Sequence, residues 1–513
     1  MDEGNRKAER SGGKEVDHKG NTNFDWNQDL DKFNIYLLRY SEIGLKGKKT
    51  RNQMEIRLIN NISVSLKNKG KNGTFIRERG RIFVISKDDI SSEISKVMGI
   101  KSFSSVRVIR FKDKKILAEN VKDLFMEKIR NKKYAVYTRR TGSHDFTSME
   151  MDRMLGDLLF PYSSGVDLKN PDIRIEIEIR NNLAYVMLHT FEGPGGLPLG
   201  TEGKMVSLIS GGIDSPVSTW MMMRRGSPVD LIFMSLANPI DTKHFLTKAL
   251  ILYSNWYSGY NPYIYIVDAS RLITDYLFKG KMKYANVSYK RKMYEIADNI
   301  AQKIGAYGII TGESSGQVSS QTPENIYELS MGLKTVIHRP LIGMDKDWII
   351  EQARKIGTFH NDSTEEFCAL FGERPITKVK HEELMEDIER ISYYFPNESE
   401  IIRIRGNEIE EYLNRIGNPE YEVRSIEKIP KQSIIVDVRD PLSFKSWHPD
   451  GAININPGSI DQLDEMNRDK KPVVFYCKQG LQSAYMAGRL RKKGYEAYFA
   501  SEKIFRNQIL EDP

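Results

Sequence analysis

Three places in the 513-residue chain combine residue types that do chemistry. The first is Ser210-Gly211-Gly212-Ile213-Asp214-Ser215, set between the apolar run MVSLI and a segment of helical pattern that opens at Pro216. Glycines let a backbone approach a ligand closely, a helix start offers unpaired N–H groups and a positive dipole end, and Ser210 and Ser215 add hydroxyl donors, so the segment suits a polyphosphate. A tight glycine turn with no ligand is the alternative reading. The second place is Cys477, which closes the run VVFY and opens CKQGLQS before another helical segment. Backbone N–H groups around such a turn stabilise a thiolate or persulfide anion, whereas a cysteine elsewhere is usually a small buried hydrophobe. The third is Cys368 in EEFCALFGERP, uninformative by itself. With two cysteines in all, a disulfide framework and a zinc site of cysteine pairs are both excluded; if the thiols act, they act as reactive groups.

The elements that must position these residues follow from hydrophobic periodicity. From Lys204 onward MVSLIS, VDLIFMSL, YIYIVDA and YGIITGE alternate with helical segments such as YKRKMYEIADNIAQKIG. That alternation is the pattern of a parallel sheet with helices on both faces, and it places the glycine loop between a strand and a helix. The loop is not a Walker A element, because Gly203-Lys204 is followed by Met205 and the glycine required five positions before Gly203 is Pro198. SIIVDVRD, VVFYC and YEAYFA predict a last, separate α/β unit around Cys477. Upstream of Lys204, strand and helix patterns over 34–90 and 91–192 predict two small α+β units. Residues 1–33 read as a polar, disordered tail, and a charged helical stretch from Lys378 to Ile416 leads into the last unit.

Charge separates the chain into two kinds of surface. Between Asn34 and Glu150 there are 27 basic and 12 acidic residues, whereas the remainder has 50 and 57. A cationic block on a mildly acidic body is what a phosphate-rich polymer selects, because each neutralised phosphate releases counterions; a solvated lysine-rich face is the alternative. No apolar helical face accompanies the basic residues, no run of about 18 apolar residues exists, and the first twenty residues hold no apolar core of a secretory signal. The expectation is a cytoplasmic chain without membrane attachment.

SGGxDS resembles the pyrophosphate loop of ATP pyrophosphatases, which cut ATP between its α and β phosphates and place AMP on a substrate; in that role Asp214 holds Mg2+ against the pyrophosphate. The Cys477 loop, with IIVDVRD and HPDGAININ before it, resembles the active loop of rhodanese domains. Ser483 stands where a phosphatase of similar shape needs arginine, and Gln482 stands where many rhodaneses carry one. Taken in order, RYSEIGLKGK, the Pro171-Asp172 segment, GPGGLPLGTEGK, LISGGIDSPV, TGESSGQVSSQT, the Cys368 segment and the rhodanese-like end resemble the tRNA 4-thiouridine synthetase (ThiI) family. The resemblance implies a ferredoxin-like domain at 34–90, a tRNA-binding THUMP domain at 91–192, a doubly wound parallel-sheet ATP pyrophosphatase domain at 200–395, a linker at 396–427 and a rhodanese-like domain at 428–513. It also implies ATP contacts at Leu208, Ile209, Phe233, Met234, Lys290, Gly312 and Gln321, beside Ser210, Gly211, Gly212, Asp214 and Ser215 of the loop. By themselves the first four read as core residues at strand ends and Lys290 as part of a solvated helix face.

The chemistry that the family likeness implies is ATP-dependent sulfur transfer to a tRNA uridine, expected at position 8. Cys477 carries a persulfide loaded by a cysteine desulfurase or another persulfide donor, and Cys368 is its disulfide partner. The terminal sulfur attacks C4 directly, or Cys368 first frees sulfide that attacks; the sequence leaves both open. Three rivals stand beside this reading. One is sulfur transfer to a sulfur-carrier protein for thiamine thiazole synthesis, and another is a non-catalytic tRNA-binding protein. The third is a THUMP-containing methyltransferase, which needs an Asn-Pro-Pro-aromatic type of loop where this chain has Asn238-Pro239-Ile240-Asp241.

Overall fold

The alternating run IRIEIEIR and the largely apolar runs IYLLR and LAYVMLHT build the sheet that organises the first part of the computed structural model. The structure describes residues 24, 26, 29–78, 80–235, 239–269, 272, 276, 279–359, 376–391, 396, 401–416, 426, 429–430, 432–439, 441–455, 463, 466–467, 469–477 and 481–501. The chain divides into two units, 1–201 and 202–513.

In the first unit, eight strands form one sheet: β1 (Asn34–Arg39), β2 (Thr74–Glu78), β3 (Arg81–Ser86), β4 (Ser102–Arg110), β5 (Lys133–Thr141), β6 (Gly165–Val166), β7 (Ile173–Arg180) and β8 (Leu183–Glu192). Their order is β2-β3-β1-β4-β8-β7-β5-β6. β4 and β8 pair antiparallel along nearly their whole length, so the two small α+β units expected from sequence share one continuous sheet. On one face, helix Lys48–Lys67 buries Met54, Leu58, Ile59, Ile62 and Leu66 at three- and four-residue spacing. Helices Lys114–Phe125 and Ser148–Leu159 cover the other half of that sheet through Leu117, Val121, Met151 and Leu155. The second helix starts at a capping box in which Thr147 and Glu150 satisfy each other's backbone N–H groups.

The segment 24–33, read from sequence as part of a disordered tail, instead carries a short 3-10 helix, Leu30–Lys32. Phe24, Trp26, Leu30 and Phe33 pack on an apolar cluster of Phe83, Val106, Tyr185 and Met187, with Trp26 edge-on to both Phe83 and Tyr185. Four apolar side chains scattered through a polar segment give no period, which is why the sequence hid them.

The second unit holds two sheets. The larger has β9 (Met205–Leu208), β10 (Val229–Ser235), β11 (Tyr263–Asp268), β12 (Gly308–Ile310), β13 (Val336–His338) and β14 (Ile401–Arg405), ordered β13-β12-β9-β10-β11-β14. All neighbours run parallel except β14, which adds to β11 antiparallel. β10 is buried along its full length, as a strand covered on both faces must be. β14 lies in what the sequence suggested was helix and linker; IIRIR has the alternation of an edge strand, overshadowed by helical segments on either side. The smaller sheet has β15 (Ile434–Asp437), β16 (Ile453–Asn454), β17 (Val473–Cys477) and β18 (Ala497–Ser501), all parallel in the order β16-β15-β17-β18. Among the described residues no helix is long and apolar enough to cross a membrane.

Candidate functional site: a phosphate loop and a sulfur site

The order of the larger sheet decides where a ligand binds. The chain passes from β9 outward to β10 and β11, then returns to place β12 and β13 on the other side of β9. Loops leaving the C-terminal ends of β9 and β12 therefore flank the point where the strand order reverses, which in doubly wound sheets is the ligand crevice. The glycine loop follows β9 and opens helix Asp214–Arg224, two residues before the expected start. TGESSGQVSSQT follows β12.

The loop is braced from within. Ser215 Oγ accepts from the Ser210 amide at 2.9 Å and lies 3.1 Å from Ser210 Oγ, which in turn accepts from the Gly212 amide at 3.2 Å. The two hydroxyls expected to face a ligand thus also fix the loop's own curvature. Below it, Ser207 Oγ of β9 meets Thr219 Oγ1 of the helix at 2.7 Å. Gly312 explains how the β12 loop joins: a Cβ there would fall 2.7 Å from the Ser215 amide nitrogen and 2.9 Å from Ser215 Cα. Only a residue without a side chain lets the two backbones pack this closely.

Asp214 projects from the first turn of its helix, where its Oδ1 accepts from Lys346 Nζ at 2.7 Å and its Oδ2 from Gln317 Nε2 at 3.1 Å. Lys346 opens helix Lys346–Ile356, which Asp345 caps through the Trp348 amide and Gly357 ends at φ +83°. Sequence reasoning missed Lys346 and Gln317, since neither lies in a periodic or glycine-rich pattern around the loop. Lys290, read alone as a solvated residue, is instead turned inward, with Nζ 3.1 Å from Glu313 Oε1 and 3.3 Å from Ser320 Oγ. Glu313 is 3% exposed and also accepts from Arg339 Nε at 2.7 Å, Thr311 Oγ1 and the Tyr294 hydroxyl. Burial alone would raise this carboxyl; the Lys290 and Arg339 cations and the Tyr294 hydrogen bond outweigh it and hold it down at about 2. Gln321 accepts from the Ser314 amide at 3.2 Å. Leu208, Ile209, Phe233 and Met234 are all buried, Leu208 closing β9 and the last two near the end of β10. The structure therefore links the loop, Gly312, Lys290 and Gln321 through the β12 loop. Among the described residues no group of three His, Cys, Asp or Glu side chains forms a metal cluster. A single carboxylate beside phosphates and water is an ordinary magnesium arrangement, and Asp214 fits it once it gives up Lys346 or Gln317, which hold its two oxygens here.

Cys477 closes β17 of the other sheet and is 4% exposed. Its Sγ lies 3.5 Å from Ser483 Oγ, which donates to the Ala500 carbonyl at 3.1 Å. Behind the strand ends, Asp437 pairs with Arg439 and accepts from the Tyr476 hydroxyl. Burial and the Asp437 hydrogen bond push that phenol well above its ordinary range, so it stays a donor. This cluster gives IIVDVRD its structural meaning: it locks β15 to β17 just before the thiol. Cys368 lies outside the described residues.

In the first unit, aromatic rings interleave with the cationic residues. Arg140 and Lys114 approach the Phe146 ring at 5.3 and 5.9 Å, and Arg174 lies 3.8 Å above Tyr137. The Phe146 ring is itself buried and Tyr137 half-buried, so these contacts hold the cations against the sheet rather than forming an exposed stacking platform.

Comparison with known proteins assigns all of these regions. The ThiI ferredoxin-like domain matches residues 35–104, the THUMP domain 111–189, the family described as Thiamine biosynthesis protein (ThiI) 200–393 and the rhodanese-like domain 420–502. A tRNA sulfurtransferase of Thermoplasma volcanium is 41% identical over 466 residues, covering 91% of this chain and 95% of its own. The chain belongs to the tRNA sulfurtransferase family. A second tRNA sulfurtransferase, from Thermoplasma acidophilum, is 40% identical and covers 93% of this chain and 97% of its own. A crystal structure described as a 4-thiouridine synthetase–RNA complex with bound ATP superimposes with a TM-score of 0.61 at 28% identity, covering 75% of this chain and 97% of that one. As a tRNA sulfurtransferase family member the chain is a sulfur-transferring enzyme, with the four domain types that the sequence motifs led us to expect.

Proposed function

We propose that the protein binds ATP at Ser210–Ser215 and transfers AMP to O4 of a tRNA uridine, at the position-8 site characteristic of the family, before sulfur replaces that oxygen. The observation that carries this reading is the convergence of the glycine loop and the β12 loop at the sheet's switch point, with Gly312 backed against Ser215. The related synthetase bound to RNA and ATP supports both ligands.

A uracil O4 is a poor leaving group, and adenylation makes it displaceable. Loop amides and the helix N-terminus receive the phosphates, with the ends of β9 and β10, at Leu208, Ile209, Phe233 and Met234, beside the adenine. Lys290 meets phosphate from its place on Glu313, and Gly312 and Gln321 complete the pocket wall. Asp214 would hold a magnesium ion, which when bound neutralises charge on the departing pyrophosphate. The cationic first unit holds the tRNA backbone and leaves the target uridine exposed.

Cys477 carries the sulfur as a persulfide supplied by a cysteine desulfurase or other donor. In one route its terminal sulfur bonds to C4 and AMP leaves; the Cys368 thiolate then attacks the Cys477 sulfur, breaking the sulfur–sulfur bond and leaving the thiocarbonyl. In the other, Cys368 first releases sulfide, which attacks C4. Both end in a Cys368–Cys477 disulfide that a dithiol must reduce. The description of the central domain's family as a thiamine biosynthesis protein favours a second acceptor, the C-terminus of a sulfur-carrier protein activated as an acyl adenylate. Nucleoside mass spectrometry of unmodified tRNA incubated with the protein, ATP, magnesium and a persulfide donor tests the main reading: 4-thiouridine should appear at one position and only with ATP. Its absence, with thiocarboxylate formed on an added sulfur carrier, would replace that reading with the second.

A further inference from the structure

Helix Pro239–Trp256 presents Phe245, Leu246, Ala249 and Leu252 to the interior, all fully buried. Lys248 lies in the same stretch and is itself only 4% exposed. An ammonium in such surroundings costs stability unless polar groups receive it. Here it donates to two successive carbonyls of the glycine loop, Gly211 O and, at 3.1 Å, Gly212 O. The helix is held for this contact by Phe245 stacked on Phe233 of β10 and by Trp256 edge-on to Trp220 of the helix that follows the loop.

In a planar trans peptide the C=O and N–H point in opposite directions. Fixing the carbonyls of Gly211 and Gly212 toward Lys248 therefore turns the amides of Gly212 and Ile213 to the other side of the loop, where that of Gly212 meets Ser210 Oγ. Two adjacent glycines would otherwise sample many orientations. We propose that Lys248 is a positioning residue for the phosphate loop: it clamps the two glycine carbonyls and so fixes the loop's backbone, with the Gly212 amide on Ser210 Oγ and the Ile213 amide turned toward an incoming polyphosphate. This deepens the ATP reading of the loop and rests on it.

The test uses the full-length protein, ATP with magnesium and unmodified tRNA, with pyrophosphate release as the readout. Lys248→Met should raise the ATP concentration for half-maximal release by about tenfold or more, as misdirected binding groups do. The tRNA concentration for half-maximal release should stay within about twofold, since phosphate contacts to the tRNA lie elsewhere. Persulfide loading of Cys477 should be unchanged. Lys248→Gln, which keeps a polar end, serves if the methionine variant fails to fold. An unchanged ATP requirement in either folded variant overturns the proposal. So does a parallel loss of ATP and tRNA use with a lowered melting temperature, which marks a purely structural lysine. If the unaltered protein itself releases no pyrophosphate from ATP, the reading of the loop fails first and takes the proposal with it.

Discussion

The glycine loop and the Cys477 site differ in how their described parts are held. The loop is held by side chains or backbone from several separate segments: Ser207 below, Lys248 from a neighbouring helix, Gly312 and Gln317 from the β12 loop, and Lys346 from a further helix. Among the described residues, Cys477 ends a strand and meets the Ser483 hydroxyl, with the Asp437–Arg439 pair bracing the strands behind it. A site that must oppose several charges on a ligand has to be organised before the ligand arrives. In the proposed reaction the thiol carries one sulfur atom, which needs a single nucleophile and a way to hand its cargo on.

This contrast predicts a graded series of effects. The largest belongs to the thiol that carries sulfur in the proposed reaction: Cys477→Ser should abolish thiolation fed by a desulfurase while leaving tRNA affinity intact in a filter-binding assay. Normal thiolation by that variant would remove Cys477 from the sulfur path. Next, Asp214→Ala should lower tRNA-stimulated pyrophosphate release roughly a hundredfold to a thousandfold, the scale of losing a group that stabilises developing charge. Persulfide on Cys477, read by mass spectrometry, should persist; tRNA adenylation at the normal rate would cancel the role given to Asp214.

Glu313 comes third. Its carboxyl sits at about 2 in the folded protein, well below its ordinary 4.5. Its stabilisation is therefore fully present above pH 4.5 and is lost as pH falls toward 2. Glu313→Gln should cost on the order of 3 kcal/mol near neutrality, and the gap to the parent protein should close on acidification. Thermal melts across that window decide it; a gap independent of pH would mean that Glu313 is not ionised between its two cations. The smallest effect is Gly312→Ala, expected to cost about 1–3 kcal/mol by forcing the two loops apart. Gly343→Ala, where a Cβ meets nothing within 4 Å, is its control. Equal melting temperatures for the two alanine variants would show that the loops do not depend on this contact.

Much of this was legible in the sequence because its signals are local. SGGIDS between a strand and a helix, VVFYC as a strand, and strand–helix alternation after Lys204 are signals of this kind, and the fold places them as read. What escaped depends on residues far apart along the chain. Lys346 reaches Asp214 across 132 positions, and Lys248 reaches Gly212 across 36; no spacing rule connects either pair. Lys290 read as solvated because a helical wheel does not show that Glu313 waits opposite it. β14 escaped because a single edge strand contributed by a distant segment carries no βαβ signature.

The aromatic residues ahead of β1 have a practical bearing on how this protein is prepared. The ferredoxin-like match begins at residue 35, which invites truncation there. Such a cut would remove Phe24, Trp26, Leu30 and Phe33 and bare the greasy patch of Phe83, Val106, Tyr185 and Met187 to solvent. A shortened version would then tend to self-associate or misbehave on columns for reasons unrelated to catalysis, and loss of activity in it would say nothing about the chemistry downstream.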